Sequence, residues 1–124
     1  MVDAEALLKL QDRIVREATA LESEWDYLLY NVEVDNGEVD SLAVSFLRHG
    51  EGWRDRSIRL PHACCQLFAD LQEQMTAGGD SWKSCTLEIE ESGRYRFAFS
   101  NQAPRVAGQI DEDTTFERYV PRPL

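Results

Sequence analysis

The run Pro61-His62-Ala63-Cys64-Cys65 sets a histidine and a cysteine three positions apart, a spacing that puts both on one side of a helix. Such a pair could begin a zinc site or a thiol–imidazole nucleophile. Neither completes itself. Beyond Cys64, the remaining donors of this kind are His49 and Cys85, and they stand in no CxxC or HxxxH spacing. A reactive Cys65 needs a neighbour that lowers its pKa and a third group that orients the base, and no flanking residue supplies either. Cys64 and Cys85 are expected as small core side chains, with His62 in an exposed first helical turn. The serines carry no GxSxG elbow. Glu88 and Glu90 share one face of a strand, but a general acid needs a raised pKa. Arginines across the ladder push the other way, so both glutamates are expected as solvated surface. Gly50 and Gly52 lack the GKS or GKT of a phosphate loop and read as a turn. No catalytic residue, metal ligand or cofactor is expected.

What remains is charge. Between Arg16 and Arg48 the chain carries no basic residue, whereas Glu17, Glu22, Glu24, Asp26, Glu33, Asp35, Glu38 and Asp40 supply eight acids. Four of these crowd one hairpin. In YNVEVDNGEVD, Tyr30 to Asp40, the dipeptide Asn36-Gly37 is the strongest short signal for a two-residue turn, because both residues tolerate positive φ. That register sets Asp35 opposite Glu38 and Glu33 opposite Asp40, and like charges facing each other destabilise a sheet. Acidic residues also serve solubility, but solubility does not require placing them opposite one another. A basic partner relieves the repulsion and is steered in by the field. Glu33, Asp35, Glu38 and Asp40 are therefore the candidate partner-binding residues, with Tyr30 or Trp25 as aromatic anchors. Asp111, Glu112 and Asp113 form a second candidate patch. Reversing Glu33 and Asp35 to lysine is expected to leave the fold intact.

The elements that must carry these residues follow from periodicity. After Asp3 as N-cap, Leu7, Leu10, Ile14, Val15, Ala18 and Leu21 recur at helical spacing, predicting a helix from about 4 to 22. Strands are expected over Trp25–Val34 and Val39–Arg48, with a third over Trp53–Leu60. Pro61 suits the first turn of a second helix, whose face of Cys64, Leu67, Phe68, Leu71 and Met75 runs to the stop at Gly78-Gly79. A second hairpin follows through Glu91-Ser92-Gly93. It points Cys85, Leu87 and Ile89 inward with Tyr95, Phe97 and Phe99, and leaves Glu88 and Glu90 to pair with Arg94 and Arg96. From Asn101 a proline-bearing tail or short helix is expected to pack over the sheet through Val106, Ile110, Phe116 and Tyr119. The expected class is α+β: a mainly antiparallel five-stranded sheet with two helices on one face, in the order α-β-β-β-α-β-β.

Size and composition bound the rest. With 124 residues and 43% hydrophobic content the chain suits one domain, 1–124. A formal charge of −10 opposes nucleic-acid binding, which needs Lys and Arg to displace counterions, and points to a cationic protein partner. No apolar run is long enough for a membrane span, and the start MVDAEALLKL has no signal-peptide pattern. Adjacent Cys64 and Cys65, with Cys85, make a poor disulfide framework. A cytoplasmic location is expected.

The segment WKSCTLEIEESGRYRFAFSNQAPRVAG resembles the closing segment of the YezG-like immunity proteins that accompany bacterial polymorphic toxins. There a tryptophan opens a strand, a glycine turn with aromatics follows, and a strand ends in a loop of proline, basic residue and glycine; Trp82, Gly93, Tyr95, Phe97, Pro104, Arg105 and Gly108 stand in those places. The resemblance implies a non-enzymatic inhibitor of a cognate toxin domain, often a nuclease or deaminase. Such toxins need basic clefts, which agrees with the charge pattern. A monomer is favoured. The alternative is an acidic secretion chaperone, a homodimer that holds an extended effector segment, whose order of elements is similar to the one derived above.

Overall fold

The computed structural model describes residues 4–101. The elements run α1 (Ala4–Thr19), β1 (Tyr27–Asp35), β2 (Glu38–His49), β3 (Gly52–Ile58), α2 (His62–Ala77), β4 (Ser84–Glu90) and β5 (Tyr95–Ser100). The fold is α+β, with two helices and a five-stranded antiparallel sheet in the order α-β-β-β-α-β-β. The strand order is β3-β2-β1-β4-β5, so β1 lies at the centre between its own hairpin partner and β4.

The first hairpin has the register read from its turn: Glu33 pairs with Asp40 and Asp35 with Glu38. Asn36 at φ 50° and Gly37 at φ 79° make the turn, the left-handed pair that matches strand twist. α2 begins one residue after Pro61, whose extended φ and ψ fit a helix entry. Gly78 closes it, and Gly79 follows at φ 96°. α1 stops at Thr19, short of the expected 22, where the Thr19 hydroxyl turns back onto the Arg16 carbonyl and competes with continuation of the helix.

Both helices lie on one face. Ile14, Val15 and Ala18 of α1 and Cys64, Leu67, Phe68 and Leu71 of α2 pack with Leu28, Tyr30, Val32 and Val34 of β1 and with Cys85, Leu87 and Ile89 of β4. Two polar side chains fix the layers. The Tyr30 hydroxyl donates to the Ala18 carbonyl at 2.7 Å, and Gln72 Nε2 donates to the Val34 carbonyl at 2.9 Å and the Trp82 carbonyl at 2.6 Å. The opposite face holds a second cluster, Tyr27, Leu29, Val44 and Phe46 with Leu42 and Trp53. Burial along β1 is continuous from Tyr27 to Val34, the mark of a strand covered on both sides. The expected packing of the tail through Val106, Ile110, Phe116 and Tyr119 lies outside the described residues.

Candidate functional site

The acidic hairpin tip is built by the end of β1, the Asn36-Gly37 turn and the start of β2. It is not uniform. Glu38 is exposed, Asp35 and Asp40 are half-buried, and Glu33 is only 4% exposed. Asp40 Oδ2 is shielded from solvent and has no hydrogen-bond partner among the described residues. Nor does the tip lack a cation. Lys83, just ahead of β4, places Nζ 3.1 Å from Asp35 Oδ1. Its backbone is held on both sides, since the Val34 N–H donates to the Lys83 carbonyl at 2.9 Å and the Lys83 N–H donates to the Ser100 carbonyl at 2.8 Å.

These positions correct two expectations. Tyr30 is fully buried on the helix face with its hydroxyl on Ala18, so it is unavailable as a surface anchor. Glu33 sits within the second face, and Glu33→Lys buries an ammonium there, which costs stability and does not leave the fold untouched. Trp25 is half-buried against the helix-side core. Asp35, Glu38 and Asp40 remain at the tip, and Asp111, Glu112 and Asp113 lie outside the described residues.

The second face holds a polar group that strand alternation alone does not separate from solvated surface. Glu88 is 6% exposed. The Tyr27 hydroxyl donates to its Oε2 and Arg96 Nη2 donates to its Oε1 at 2.8 Å. The expectation of solvated surface therefore fails for Glu88. The available signal was the pairing of Glu88 with Arg96; the contact with Tyr27 depends on β1 pairing with β4, which lies far along the chain. At the end of β1 away from the tip, the Arg48 N–H donates to Asp26 Oδ2 at 2.7 Å and holds the Asp26 carboxyl below its usual range, helped by a hydrogen bond with Glu91. That shared bond, with the Asp26 charge beside it, raises Glu91.

The thiols behave as core. Cys64 and Cys85 are buried, and burial pushes all three cysteines up in pKa. For Cys65 this is the reverse of what a nucleophile needs. His62 is exposed. Among the described residues, no three His, Cys, Asp or Glu side chains converge as metal ligands, and no helix is long and apolar enough to cross a membrane.

Comparison of the chain with protein-family models gives no match, and neither does comparison with curated proteins.

Proposed function

We propose that this chain is an immunity-type inhibitor, a cytoplasmic protein that binds a cognate toxin domain with a basic cleft and blocks it sterically and electrostatically. The observation that carries the reading is the tip itself, where Asp35 and Glu38 stand directly opposite each other on a hairpin braced from below by Gln72 and from the side by Lys83. A braced concentration of like charge stores repulsion that a cationic surface releases. Asp35 and Glu38 engage lysines or arginines of the partner, and Asp40 lies two pairs further down the ladder. The resemblance of Trp82, Gly93, Tyr95 and Phe97 to the YezG-like pattern supports the same reading.

The test is a binding measurement with the basic toxin domain encoded beside this chain. Asp35→Lys with Glu38→Lys should slow association and flatten its dependence on salt. Unchanged binding at low ionic strength removes the tip from the interface. The chaperone reading is favoured by one observation, the order of elements, and it predicts a dimer that captures an extended peptide. Sedimentation with a folded partner separates the two, since the inhibitor forms a one-to-one complex.

A further inference from the structure

The last turn of α2, the link into β4 and the end of β5 enclose a hollow of about 480 Å³. Met75, Trp82 and Phe99 give it an apolar lining, and Asp80, Ser81 and Asn101 add polar groups. Its aromatic part is fixed. Trp82 and Phe99 meet at 5.3 Å with their planes tilted by 39°, and Phe97 stacks on Phe99 at 6.0 Å. The Trp82 indole N–H already donates to Met75 Sδ at 3.2 Å, so the indole offers a visitor only ring surface. The walls are pinned as well. The Asp80 N–H donates to the Met75 carbonyl at 2.8 Å, the Lys83 N–H to the Ser100 carbonyl at 2.8 Å, and Gln72 Nε2 to the Trp82 carbonyl at 2.6 Å. A hollow held in this way is formed before any ligand arrives.

We infer that this hollow takes an arginine side chain of a protein partner. Three observations select that occupant. The first is charge. Asp80 is the one ionisable group among the described residues that line the hollow, and the chain as a whole carries −10, so the field draws a cation and repels an acidic segment. The second is the mixed lining. An arginine lays its methylene stem along apolar surface and its flat guanidinium on an aromatic face, while its donors suit a carboxylate, a hydroxyl and an amide oxygen. Met75 and Phe99, both half-buried, offer the first kind of surface, and the exposed Asp80, Ser81 and Asn101 offer the second. A purely aliphatic side chain would cover those polar groups without bonding them. The third is position. Gln72 Nε2 bonds both the Trp82 and the Val34 carbonyls, and Lys83, next in the chain to Trp82, reaches Asp35. The hollow is therefore a neighbour of the tip, and a partner that engages Asp35 and Glu38 can seat one arginine between α2 and β5. That the arginine comes from a basic protein rests on the function proposed above; the chemistry of the hollow does not.

The test uses the full chain and two small probes, N-acetyl-arginine amide and N-acetyl-leucine amide, followed by NMR at the assigned indole N–H of Trp82. The arginine amide should shift that signal saturably and the leucine amide should not. Asp80→Asn, at an exposed position that leaves the core intact, should weaken the arginine amide about threefold. No saturable shift, an equal response to the leucine amide, or full affinity in Asp80→Asn overturns the inference. Nuclear Overhauser contacts that place another side chain of this chain in the hollow also overturn it. A second arm uses the basic toxin domain encoded beside this chain. Ser81→Trp fills the hollow from an exposed position and should speed dissociation about tenfold, whereas Asp35→Lys with Glu38→Lys slows association. A loss in the tip variant alone keeps the tip and overturns the hollow as part of the interface. Binding of the arginine amide, with the toxin domain unmoved by either variant, supports the hollow and removes the tip reading instead.

Discussion

The two hairpins of this sheet solve the same electrostatic problem differently. In β4–β5 the carboxylate of Glu88 is answered from within the hairpin, by Arg96 directly across the ladder, with the Tyr27 hydroxyl completing the set from β1. In β1–β2 the ladder sets acid against acid, and the cation that answers Asp35 comes from outside the hairpin, from Lys83 before β4. A cross-strand partner neutralises charge locally and survives any change in the rest of the fold. A partner borrowed from a neighbouring strand exists only once the sheet has assembled. The first hairpin thus depends on its context, and Glu38 stays exposed at its corner.

The comparison can be broken first at the packing beneath each hairpin. Phe46→Ala removes a ring with no solvent exposure from the first hairpin and should cost about 3–5 kcal/mol. Phe97→Ala in the second, at a half-buried position, should cost about 1–2 kcal/mol. Equal losses in urea denaturation would erase the difference between them. Next, Arg96→Met strands the buried Glu88 with Tyr27 alone and should lose about 1–3 kcal/mol. Lys83→Met, by contrast, should lose less than about 1 kcal/mol and become harder to detect as salt rises, because its partner Asp35 is half exposed. A larger loss for Lys83 than for Arg96 would reverse the reading of which hairpin is self-sufficient.

The smallest effect is a pH signature where β1 starts. The carboxyl of Asp26 is held below its ordinary 3.8, so it contributes stability above that pH and loses it as pH falls through the depressed value. Glu91 is held above its ordinary 4.5, so its contribution is present below that pH and is lost as pH rises through the raised value. Asp26→Asn should flatten the acid limb of the stability curve and return the Glu91 midpoint toward 4.5 in a carboxyl NMR titration. A Glu91 midpoint that stays raised would show that Asp26 is not its cause.

Much of the fold was legible. The register of the first hairpin follows from Asn36-Gly37, and the helix-facing sets on α2 and β4 follow from their periods, as do Phe97 and Phe99 of β5; Tyr95, expected inward with them, is 42% exposed, because it starts an edge strand beyond the helix-side core. The errors fall where a residue's surroundings come from a distant strand. Tyr30 carries the alternation of its strand correctly, but its face is the one under both helices, so an apparent anchor is core. Glu33 and Glu88 look like outward carboxylates in any window of ten residues, and only the neighbours of β1 and β4 decide that they are enclosed. The tip also seemed free of cations because Lys83 is 48 residues from Asp35 along the chain.

The amino-acid sequence alone determined the hairpin turn, the strand and helix periods, the element order and the excess of acid, because each depends on backbone preferences or counts within a few residues. Tertiary structure alone decided that β1 is central, that Lys83 reaches Asp35, that Tyr27, Glu88 and Arg96 meet, and which carboxylates of the tip still face water. Period-two alternation says which side chains share a face, and solvent exposure depends on what is laid over that face by segments far along the chain.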